Sequence, residues 1–254
     1  MKGTALITGA SSGIGESLAR VFASNDFQLI ITARDTSKLV ALKNSLDDPD
    51  QTQIVTADLS TREGIDHLIA NTKKERVDIL VNNAGIMQWG NLQDREADTI
   101  DQLIDLNIRA LTYLTHHFLK GMIKRSSGKI LNVASIAGFQ PIPAMGLYAA
   151  SKAYVLSLTE SLSEQIANSG VSVTALCPGI TNTPSTEQLI NEIPPFIVSS
   201  ADEVALAGFE ALMAGETLCI PGVANKTAVA WAKLQPRSVV RKIGGFVAKF
   251  APDQ

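Results

Sequence analysis

The hydrophobic positions of this chain fall into seven short apolar runs, separated by longer segments with helical periodicity. The runs are nearly continuous rather than alternating, which is typical of strands that helices bury on both faces. They lie at 4–8, 27–32, 52–57, 77–83, 128–135, 171–179 and 217–222. Helical patterns lie at 13–25, 35–46, 61–74, 96–120, 146–168 and 201–214. This alternation predicts an α/β fold with a doubly wound parallel sheet of about seven strands and helices on both faces.

The bulk composition fits one globular domain. The chain has 254 residues, 45% of them hydrophobic, and its formal net charge of −3 gives no reason to expect nucleic-acid binding. The apolar runs are too short to span a membrane, and the N-terminus has no signal-peptide pattern, so we expect a cytoplasmic protein. Cys177 and Cys219 lie in apolar runs and are interpreted as small buried hydrophobic residues.

The first predicted strand runs into a glycine-rich turn, TGASSGIG, before the first helix begins. Glycines allow a tight turn and let the backbone approach a pyrophosphate, while the helix offers free N–H groups and the positive end of its dipole. A plain glycine-rich turn is the alternative, but the strand–turn–helix context is the one that dinucleotide binding requires. We therefore expect cofactor contacts from Gly9, Ser11, Ser12, Gly13, Ile14 and Gly15.

The end of the second strand, ITARD, bears on which dinucleotide binds. In an NAD site, an acidic residue about 20 residues beyond the glycines usually accepts a hydrogen bond from the ribose 2′-hydroxyl. Ala33 stands there instead, and the following Arg34 suits a 2′-phosphate. The pattern favours NADP(H). NAD(H) is the alternative if Arg34 is a solvated loop cation that Asp35 neutralises.

Two further strand ends, ADL and NNAG, are predicted to meet at the same edge of the sheet. Open α/β sheets bind ligands at the carboxyl ends of their strands. Asp58 is placed to accept a hydrogen bond from an adenine amino group. Small, apolar and polar residues beside it complete the expected cofactor contacts here, namely Leu59, Asn83, Ala84 and Gly85.

The segment YAASK places Tyr148 and Lys152 four residues apart, on one face of a predicted helix. A free phenol keeps its proton up to a pKa of about 10. A neighbouring ammonium stabilises the phenolate and lowers that pKa, which makes an acid–base catalyst. Standing alone, the two residues would be interpreted as a surface pair, so the accompanying motifs decide in favour of catalysis.

Together these segments resemble a known family. TGASSGIG, ADL, NNAG, LN at 106–107, VASIAG, YAASK and PGITNT resemble the motifs of the short-chain dehydrogenases/reductases, in that family's order and spacing from residue 4 to about 183. The resemblance implies a Rossmann-type fold and an NAD(P)-dependent oxidoreductase of the carbonyl reductase type. It implies hydride transfer between nicotinamide and a small-molecule carbonyl or secondary alcohol.

The resemblance also implies a role for each matching residue. Tyr148 would be the general acid, Lys152 would lower the pKa of the tyrosine and hold the nicotinamide ribose, and Ser135 would orient the carbonyl. Asn107 would kink its helix and hold a water in a proton relay. Many NADP(H)-binding members carry a basic residue where Ser12 stands here, so that preference rests mainly on the second-strand arginine. The implied nicotinamide-facing residues are Pro178, Gly179, Ile180 and Thr183.

Other functions are weighed against this one. A dinucleotide-binding regulator or scaffold without catalysis is disfavoured by the complete catalytic set. The short chain disfavours an epimerase or dehydratase, and the three-residue gap between Tyr148 and Lys152 disfavours an enoyl reductase. Ser135 by itself would also fit a strand-capping hydroxyl, and VASIAG lacks the G-x-S-x-G elbow of a hydrolase. The His116–His117 pair has no further ligand at metal spacing, so no metal site is expected.

Two segments in the C-terminal part of the chain contain none of the motifs above. Residues 184–200 fall where the family has its substrate lid, and their apolar content suggests a hydrophobic substrate. We predict a catalytic domain over 1–222 and a helical extension over 223–254. Residues 217–252 contain no Asp or Glu, and their cations are Lys226, Lys233, Arg237, Arg241, Lys242 and Lys249. Apolar residues interleave with them, namely Trp231, Val239, Val240, Ile243, Phe246, Val247 and Phe250.

Such a basic amphipathic extension has two interpretations. It lies on an anionic membrane surface, or it packs on its own domain or on a neighbouring subunit. We expect that removal of residues 236–254 changes lipid association or oligomeric state and leaves cofactor binding intact. Whether the chain forms a homo-oligomer is left undecided, because the same segment would obstruct one of the subunit interfaces that the resemblance implies.

Overall fold

The computed structural model describes residues 2–190, 193–194, 197–236 and 238–242. Within them the strands are Thr4–Thr8 (β1), Gln28–Ala33 (β2), Thr52–Thr56 (β3), Val77–Asn82 (β4), Gly128–Val133 (β5), Val171–Leu176 (β6), Thr181–Asn182 (β7), Ser199–Ser200 (β8) and Leu218–Cys219 (β9). The α-helices are Gly13–Ser24 (α1), Thr36–Asn44 (α2), Arg62–Asn71 (α3), Ala97–Ile104 (α4), Leu111–Lys124 (α5), Gly146–Gln165 (α6), Glu187–Ile190 (α7), Ala201–Ala214 (α8) and Val223–Leu234 (α9).

Seven strands form one parallel sheet in the order β3-β2-β1-β4-β5-β6-β9. The chain builds outward from β1 to β3, then returns to the middle of the sheet and builds outward from β4 to β9. The order reverses between β1 and β4, and such a switch point leaves a crevice at the carboxyl ends of the strands. The predicted doubly wound α/β fold is confirmed.

Helices cover both faces of this sheet, and successive residues of a strand enter opposite halves of the core. Ala5 and Ile7 of β1 pack with α1 and α8 on one face, through residues such as Phe22 and Leu212. Leu6, between them, packs with α3 and α5 on the other face. This double burial explains why the strands are nearly continuous apolar runs.

The prediction of one continuous helix at 96–120 was wrong, because the structure divides this region into three helical segments. After α4 the chain forms a π-helical segment, Asp105–Ala110, before α5 begins. A π-helical turn inserts one extra residue into the helix and redirects side chains, and such turns are frequent at functional sites. Asn107 lies inside it, which agrees with the predicted irregularity at that residue.

Several predicted strands are shorter at their carboxyl ends. β5 ends at Val133 rather than residue 135, β6 ends at Leu176 rather than 179, and β9 covers two residues rather than six. Of the residues left over after β5 and β6, Ala134, Ser135, Pro178 and Gly179 line the cavity at the carboxyl ends of the strands. A separate two-stranded parallel ladder of β7 and β8, which the sequence did not predict, ties the residues just before the 184–200 segment to its end.

The C-terminal extension is described only in part. α9 lies on the domain with Asn225 and Val229 buried, followed by a helical turn at 238–242 in which Val240 is buried. Arg237, Ile243, Phe246, Val247, Lys249 and Phe250 of the predicted basic amphipathic pattern lie outside the described residues. Among the described helices, none combines the length and the apolar character that crossing a bilayer requires. The boundary predicted at residue 222 stays a prediction.

Candidate active site

A cavity of about 680 Å³ lies at the carboxyl ends of the strands, beside the switch point. It brings together nearly all of the predicted site residues, although they come from seven separate segments of the chain. Gly15 and Asn107 are the two predicted residues that do not line it. Those that do are Gly9, Ser11, Ser12, Gly13, Ile14, Arg34, Asp58, Leu59, Asn83, Ala84, Gly85, Ser135, Tyr148, Lys152, Pro178, Gly179, Ile180 and Thr183.

The glycine-rich turn between β1 and α1 has the backbone shape that only glycine adopts readily. Gly9 has a φ of +66° and Gly13 a φ of +56°. A Cβ at Gly15 would lie 2.2 Å from the carbonyl oxygen of Gly9, so this glycine packs the helix onto the turn rather than facing the cavity. Ser12 is the N-cap of α1 but makes no side-chain cap hydrogen bond, so its side chain leaves the first N–H groups of the helix free, and Gly13 and Ile14 of that turn line the cavity.

Thr8 and Asn83 fix this turn against the neighbouring strand. The Thr8 hydroxyl donates to the carbonyl of Val81 at 3.1 Å and accepts from the backbone N–H groups of Asn83 and Ala84, each at 3.0 Å. The Asn83 amide donates to the carbonyls of Thr8 and Gly9, at 2.9 and 3.1 Å. The side chain of Asn83 therefore holds the shape of the turn. The role of Thr8 was missed in the sequence, because nothing local marks its partners 75 residues away.

Two exposed cations stand at the end of the cavity beside β2. Arg34 and Lys38 both line it, and the ion pairs among the described residues include neither. Asp35 caps α2 instead, since its carboxylate accepts from the Lys38 N–H at 3.1 Å and from the Ser37 hydroxyl at 2.6 Å. These hydrogen bonds lower the pKa of Asp35. Asp35 therefore forms no ion pair with Arg34 among the described residues, and the site gains Lys38, a cation that the sequence reasoning missed.

Tyr148 and Lys152 share one face of α6 at the other end of the cavity. The Lys152 ammonium lies 5.7 Å from the centroid of the Tyr148 ring and donates a hydrogen bond of 2.8 Å to the carbonyl of Val133. Lys152 is only 6% exposed. Burial of an ammonium favours its neutral form, and it lowers the pKa of Lys152 to about 8.

The predicted direction of the Tyr148 pKa was wrong for this structure. Burial raises the pKa of the Tyr148 hydroxyl, and a hydrogen bond with Ser135 opposes that rise only in part. The ammonium of Lys152 was expected to dominate, but it is directed at a backbone carbonyl and is itself buried. Desolvation therefore outweighs charge here, and Tyr148 keeps its proton at neutral pH.

Asn107 acts from behind the cavity wall. Its amide oxygen accepts from the Ile86 N–H, and its amide nitrogen donates to the Ile86 carbonyl, both at 2.9 Å. The same nitrogen donates to the Ser151 hydroxyl at 3.1 Å, and Ser151 donates to the Tyr148 carbonyl at 2.7 Å. Asn107 thus joins the loop after β4 to the first turn of α6. Its water-holding role stays a prediction, and Ser151 is a residue that the sequence reasoning missed.

Ser135 follows β5 and starts a short 3₁₀ turn, Ile136–Phe139. Its hydroxyl accepts from the Ala137 N–H at 3.1 Å, which holds the side chain at the cavity wall beside Tyr148. Gly138 in this turn has no room for a side chain, because a Cβ there would lie 2.8 Å from backbone atoms of Lys152. The close packing fixes the serine, the tyrosine and the lysine relative to one another.

Bulky side chains line the cavity beyond Tyr148. Met87 and Trp89 come from the loop after β4, and Ile142 and Met145 come from the segment before α6. The 184–200 segment adds Ser185, Thr186 and Ile193, while 191–192 and 195–196 lie outside the described residues. This end of the cavity suits an apolar group better than a charged one.

The part of the chain that the structure describes contains no cluster of three His, Cys, Asp or Glu side chains that could hold a metal ion. His116 and His117 lie on α5, well away from the cavity lining. Burial lowers the pKa of His117, and the neighbouring His116 and Lys120 add to the effect. Among its lining residues the cavity does carry a hydroxyl, a phenol and an ammonium, those of Ser135, Tyr148 and Lys152.

Comparison with known proteins agrees with this geometry. The family model for short chain dehydrogenases matches residues 3–193. An uncharacterized oxidoreductase of Staphylococcus saprophyticus is 38% identical over 184 residues, which is 71% of this chain and 79% of that protein. A short-chain dehydrogenase from Sphingobium yanoikuyae in complex with NADPH has a TM-score of 0.80 at 31% identity, covering 99% of this chain and 98% of its own. A 3-ketoacyl-(acyl-carrier-protein) reductase from Brucella melitensis complexed with NADH has a TM-score of 0.77 at 30% identity, covering 87% and 96%.

Proposed function

This chain belongs to the short-chain dehydrogenase family, and we propose that it is an NADP(H)-dependent enzyme that reduces a ketone or oxidises the corresponding secondary alcohol. The observation that carries the proposal is one cavity with a glycine turn at one end and Ser135, Tyr148 and Lys152 at the other. A dinucleotide spans such a cavity with its phosphates on the turn and its reactive ring near the phenol.

The residues of the cavity fit a nicotinamide dinucleotide. A methyl group on Gly9 would lie 2.8 Å from the Ala84 Cα, and one on Gly13 would lie 3.0 Å from Thr183, so only glycine fits the close packing of this turn, and both glycines line the cavity. Asp58 accepts from Ser60 through Oδ1 only, and we assign Oδ2 to the adenine amino group. When bound, the nicotinamide supplies or accepts the hydride.

We assign proton transfer to Tyr148. In reduction its hydroxyl donates a proton to the substrate oxygen, on which negative charge develops as the carbonyl carbon is reduced. The Ser135 hydroxyl donates to the same oxygen and orients it. Lys152, directly below on α6, supplies positive charge to the tyrosinate that remains. Asn107 and Ser151 hold the first turn of α6 and thereby position the phenol.

The electrostatics favour the reductive direction at neutral pH. A phenol whose pKa is raised by burial is protonated, and the protonated form is the one that gives a proton to a carbonyl oxygen. Oxidation of an alcohol needs the tyrosinate as a base. We therefore expect oxidation to be fastest at alkaline pH and reduction to be fastest near neutrality.

We propose NADP(H) over NAD(H) because of the two cations beside β2. Arg34 and Lys38 line the cavity beside β2, where we assign the adenosine ribose, and Asp35 caps α2. Two cations attract a 2′-phosphate, whereas a free 2′-hydroxyl gains little from them. Among relatives of comparable similarity, the Sphingobium enzyme was crystallised with NADPH and the Brucella reductase with NADH, so the preference rests on this chain's own residues.

Cofactor titration tests the proposal. We expect NADPH to bind at least about tenfold more tightly than NADH, and Arg34→Ala to remove most of that difference, because a hydrogen bond to a charged group contributes about 1.5–3 kcal/mol. Lys43→Ala, on the same helix as Lys38 but outside the cavity, is the matched control and keeps the difference. Equal wild-type affinities would remove the NADP(H) preference. Tight cofactor binding without turnover of any carbonyl compound would favour a regulator instead.

The two cysteines bear on where such an enzyme works. Cys177 and Cys219 are both free and buried. Burial raises the pKa of the Cys177 thiol to about 12 and that of Cys219 to about 11. Such thiols pack as small apolar groups and do not act as nucleophiles. A chain that uses its cysteines in this way is suited to a reducing compartment, and we place it in the cytoplasm.

A further inference from the structure

We propose that α9 completes the substrate site, and that the substrate carries a long apolar group which lies in a groove between α9 and the 3₁₀ turn at 136–139. The inference rests on the proposed function, because it concerns the carbonyl compound that Tyr148 would protonate. It assigns a binding role to a helix that lies outside the region matched by the family model, which ends at residue 193.

α9 contacts two segments of the catalytic cavity. Asn225, which is buried, lies so close to Gly179 that a Cβ on that glycine would be 2.3 Å from its amide oxygen. The Asn225 amide nitrogen donates to the Pro221 carbonyl at 2.8 Å, which fixes the side chain. On the next turns, Val229 is buried, and the Lys233 ammonium lies 4.8 Å from the centroid of the Phe139 ring. The helix is therefore part of the wall rather than a separate appendage.

A groove of about 620 Å³ lies between this helix and the 3₁₀ turn. Its walls are apolar over most of their area. Of the described residues that line it, only Thr227 and Gln140 carry polar side chains, and the Thr227 hydroxyl already donates to the Val223 carbonyl at 2.9 Å. The remaining lining residues are Ile136, Phe139, Ala224, Ala228, Val229 and Trp231.

The groove adjoins the catalytic cavity at two shared lining residues. Ile136 and Gln140 line both spaces, and Ile136 directly follows Ser135, the residue that we assign to the substrate oxygen. We infer that a carbonyl compound held by Ser135 and Tyr148 extends an apolar chain past Ile136 into the groove. The catalytic cavity itself, at about 680 Å³, also has to hold the dinucleotide. The apolar end of the catalytic cavity holds the groups next to the reacting carbon, and we infer that a longer apolar chain extends next to α9.

The groove also exposes apolar surface that an apolar ligand would cover. Trp231 at its rim is 45% exposed, and burying such a side chain against a hydrocarbon removes a large apolar area from water. A second copy of the chain, or the residues beyond 242, would cover the same surface without affecting substrate choice. Selectivity for the length of the substrate's apolar group therefore distinguishes a bound substrate from these other occupants.

The test is a series of straight-chain methyl ketones, from 2-butanone to 2-decanone, reduced with NADPH. In the wild type we expect kcat/KM to rise with length, by up to about fourfold for each methylene that enters the groove, as the transfer free energy of a CH₂ group implies. Ala228→Trp fills the groove, and we expect it to lower the ratio of kcat/KM for 2-decanone over 2-butanone by about tenfold. Ala230→Trp, on the exposed side of the same helix and outside the groove, is the matched control and keeps the wild-type ratio.

A flat dependence on chain length in a wild type that does reduce 2-butanone would overturn the inference and leave the proposed function intact. So would an unchanged ratio in Ala228→Trp. Failure to reduce any ketone would overturn the proposed function, and the inference with it.

A binding measurement gives a second readout without turnover. The chain has two tryptophans, so Trp89→Phe leaves Trp231 as the only source of indole fluorescence. We expect 2-decanone to shift the Trp231 emission to shorter wavelength, because the indole leaves water, and 2-butanone to leave it unchanged. Equal responses to the two ketones, or none to either, would contradict occupation of the groove.

Discussion

The two ends of the catalytic cavity are built from different materials. The glycine-turn end consists of backbone and small residues, Gly9 to Gly15, with the exposed cations Arg34 and Lys38 beside it. The tyrosine end consists of buried and half-buried side chains, with Lys152 only 6% exposed and hydrogen-bonded to the carbonyl of Val133 at the end of β5. The first end depends on the absence of side chains. The second depends on placing a charge where water is excluded.

This difference predicts that the two ends respond differently to substitution. Added bulk at the glycine turn should unfold or distort the chain, because the space is already filled by backbone. A change of functional group at the tyrosine end should leave the fold intact and remove the chemistry. The predictions that follow test this contrast, beginning with the largest expected effect.

The largest effect is expected for Tyr148→Phe. The ring still fills its place, but the hydroxyl that donates the proton is gone, so kcat/KM for ketone reduction should fall by about a thousandfold or more. NADPH affinity and the thermal midpoint should change little. Steady-state kinetics and calorimetry measure these quantities.

Tyr154→Phe is the matched control for that variant. Tyr154 lies on the same helix, is 37% exposed, and its hydroxyl is hydrogen-bonded to Thr112 at 2.9 Å, far from any proposed proton transfer. We expect kcat/KM to stay within about twofold of the wild type. Comparable losses in the two variants would show that α6 acts through its packing rather than through the phenol of Tyr148.

The next effect concerns Gly15→Ala at the glycine turn. The added Cβ would lie 2.2 Å from the Gly9 carbonyl oxygen and 2.4 Å from the Asn83 amide nitrogen, so the turn must shift. We expect a loss of about 3 kcal/mol in the free energy of unfolding, together with weaker dinucleotide binding. Urea denaturation measures the loss. Gly146→Ala, where a Cβ meets nothing within 4 Å, is the control and should be neutral or slightly stabilising.

Lys152→Met should raise the free energy of unfolding at neutral pH, whereas Gly15→Ala should lower it. The pKa of Lys152 is lowered from 10.5 to about 8 on burial, so the native state binds fewer protons than the unfolded chain between those pH values, and wild-type stability rises with pH there. Below about pH 8 the buried ammonium costs about 3 kcal/mol, offset by about 1 kcal/mol from its hydrogen bond to Val133.

Accordingly, Lys152→Met should be about 2 kcal/mol more stable than the wild type at pH 7, and this advantage should be gone by pH 10.5, where the cost of burying the ammonium is lost and the hydrogen bond of the wild type remains. The same variant should lose most of its activity. Denaturation at the two pH values checks the sign. A variant that is less stable than the wild type at pH 7 would mean that Lys152 stabilises the fold. In that case the lysine would not lower stability in return for activity.

The smallest effect is expected for Lys38→Ala. Lys38 is exposed, and an exposed charge contributes about 0.2–1 kcal/mol, so NADPH should bind about threefold more weakly and NADH without change. Titrations at low and high salt check the electrostatic origin, since screening should remove the difference. A loss that is the same for both dinucleotides would exclude a contact with the 2′-phosphate.

The sequence predicted the parts of the site that depend on local spacing. The glycine turn, Arg34, and the Tyr148–Lys152 pair all follow from residues within one turn or one helix. Contacts between distant segments could not be predicted in this way. The hydrogen bond from Asn107 to Ser151 joins residues 44 apart in the chain, and the contact between Gly179 and Asn225 depends on how the last helix lies on the domain.

Besides contacts between distant segments, the sequence could not predict how deeply each side chain is buried. The ammonium beside Tyr148 predicted a lowered phenol pKa, whereas desolvation in the folded chain raises it. The predicted helix at 96–120 failed for a related reason, since the π-helical segment at 105–110 places Asn107 against the loop after β4. In both cases tertiary contacts decided against a local preference.

The central claim is that hydride passes between nicotinamide and a substrate carbonyl beside Tyr148. The most direct measurement is reduction of a methyl ketone with NADPH that carries deuterium on the transferable position of the nicotinamide ring. The account predicts one deuterium on the carbinol carbon of the alcohol product, and a loss of this product in Tyr148→Phe. NADPH consumption without label in the product, or full labelling by Tyr148→Phe, would contradict it.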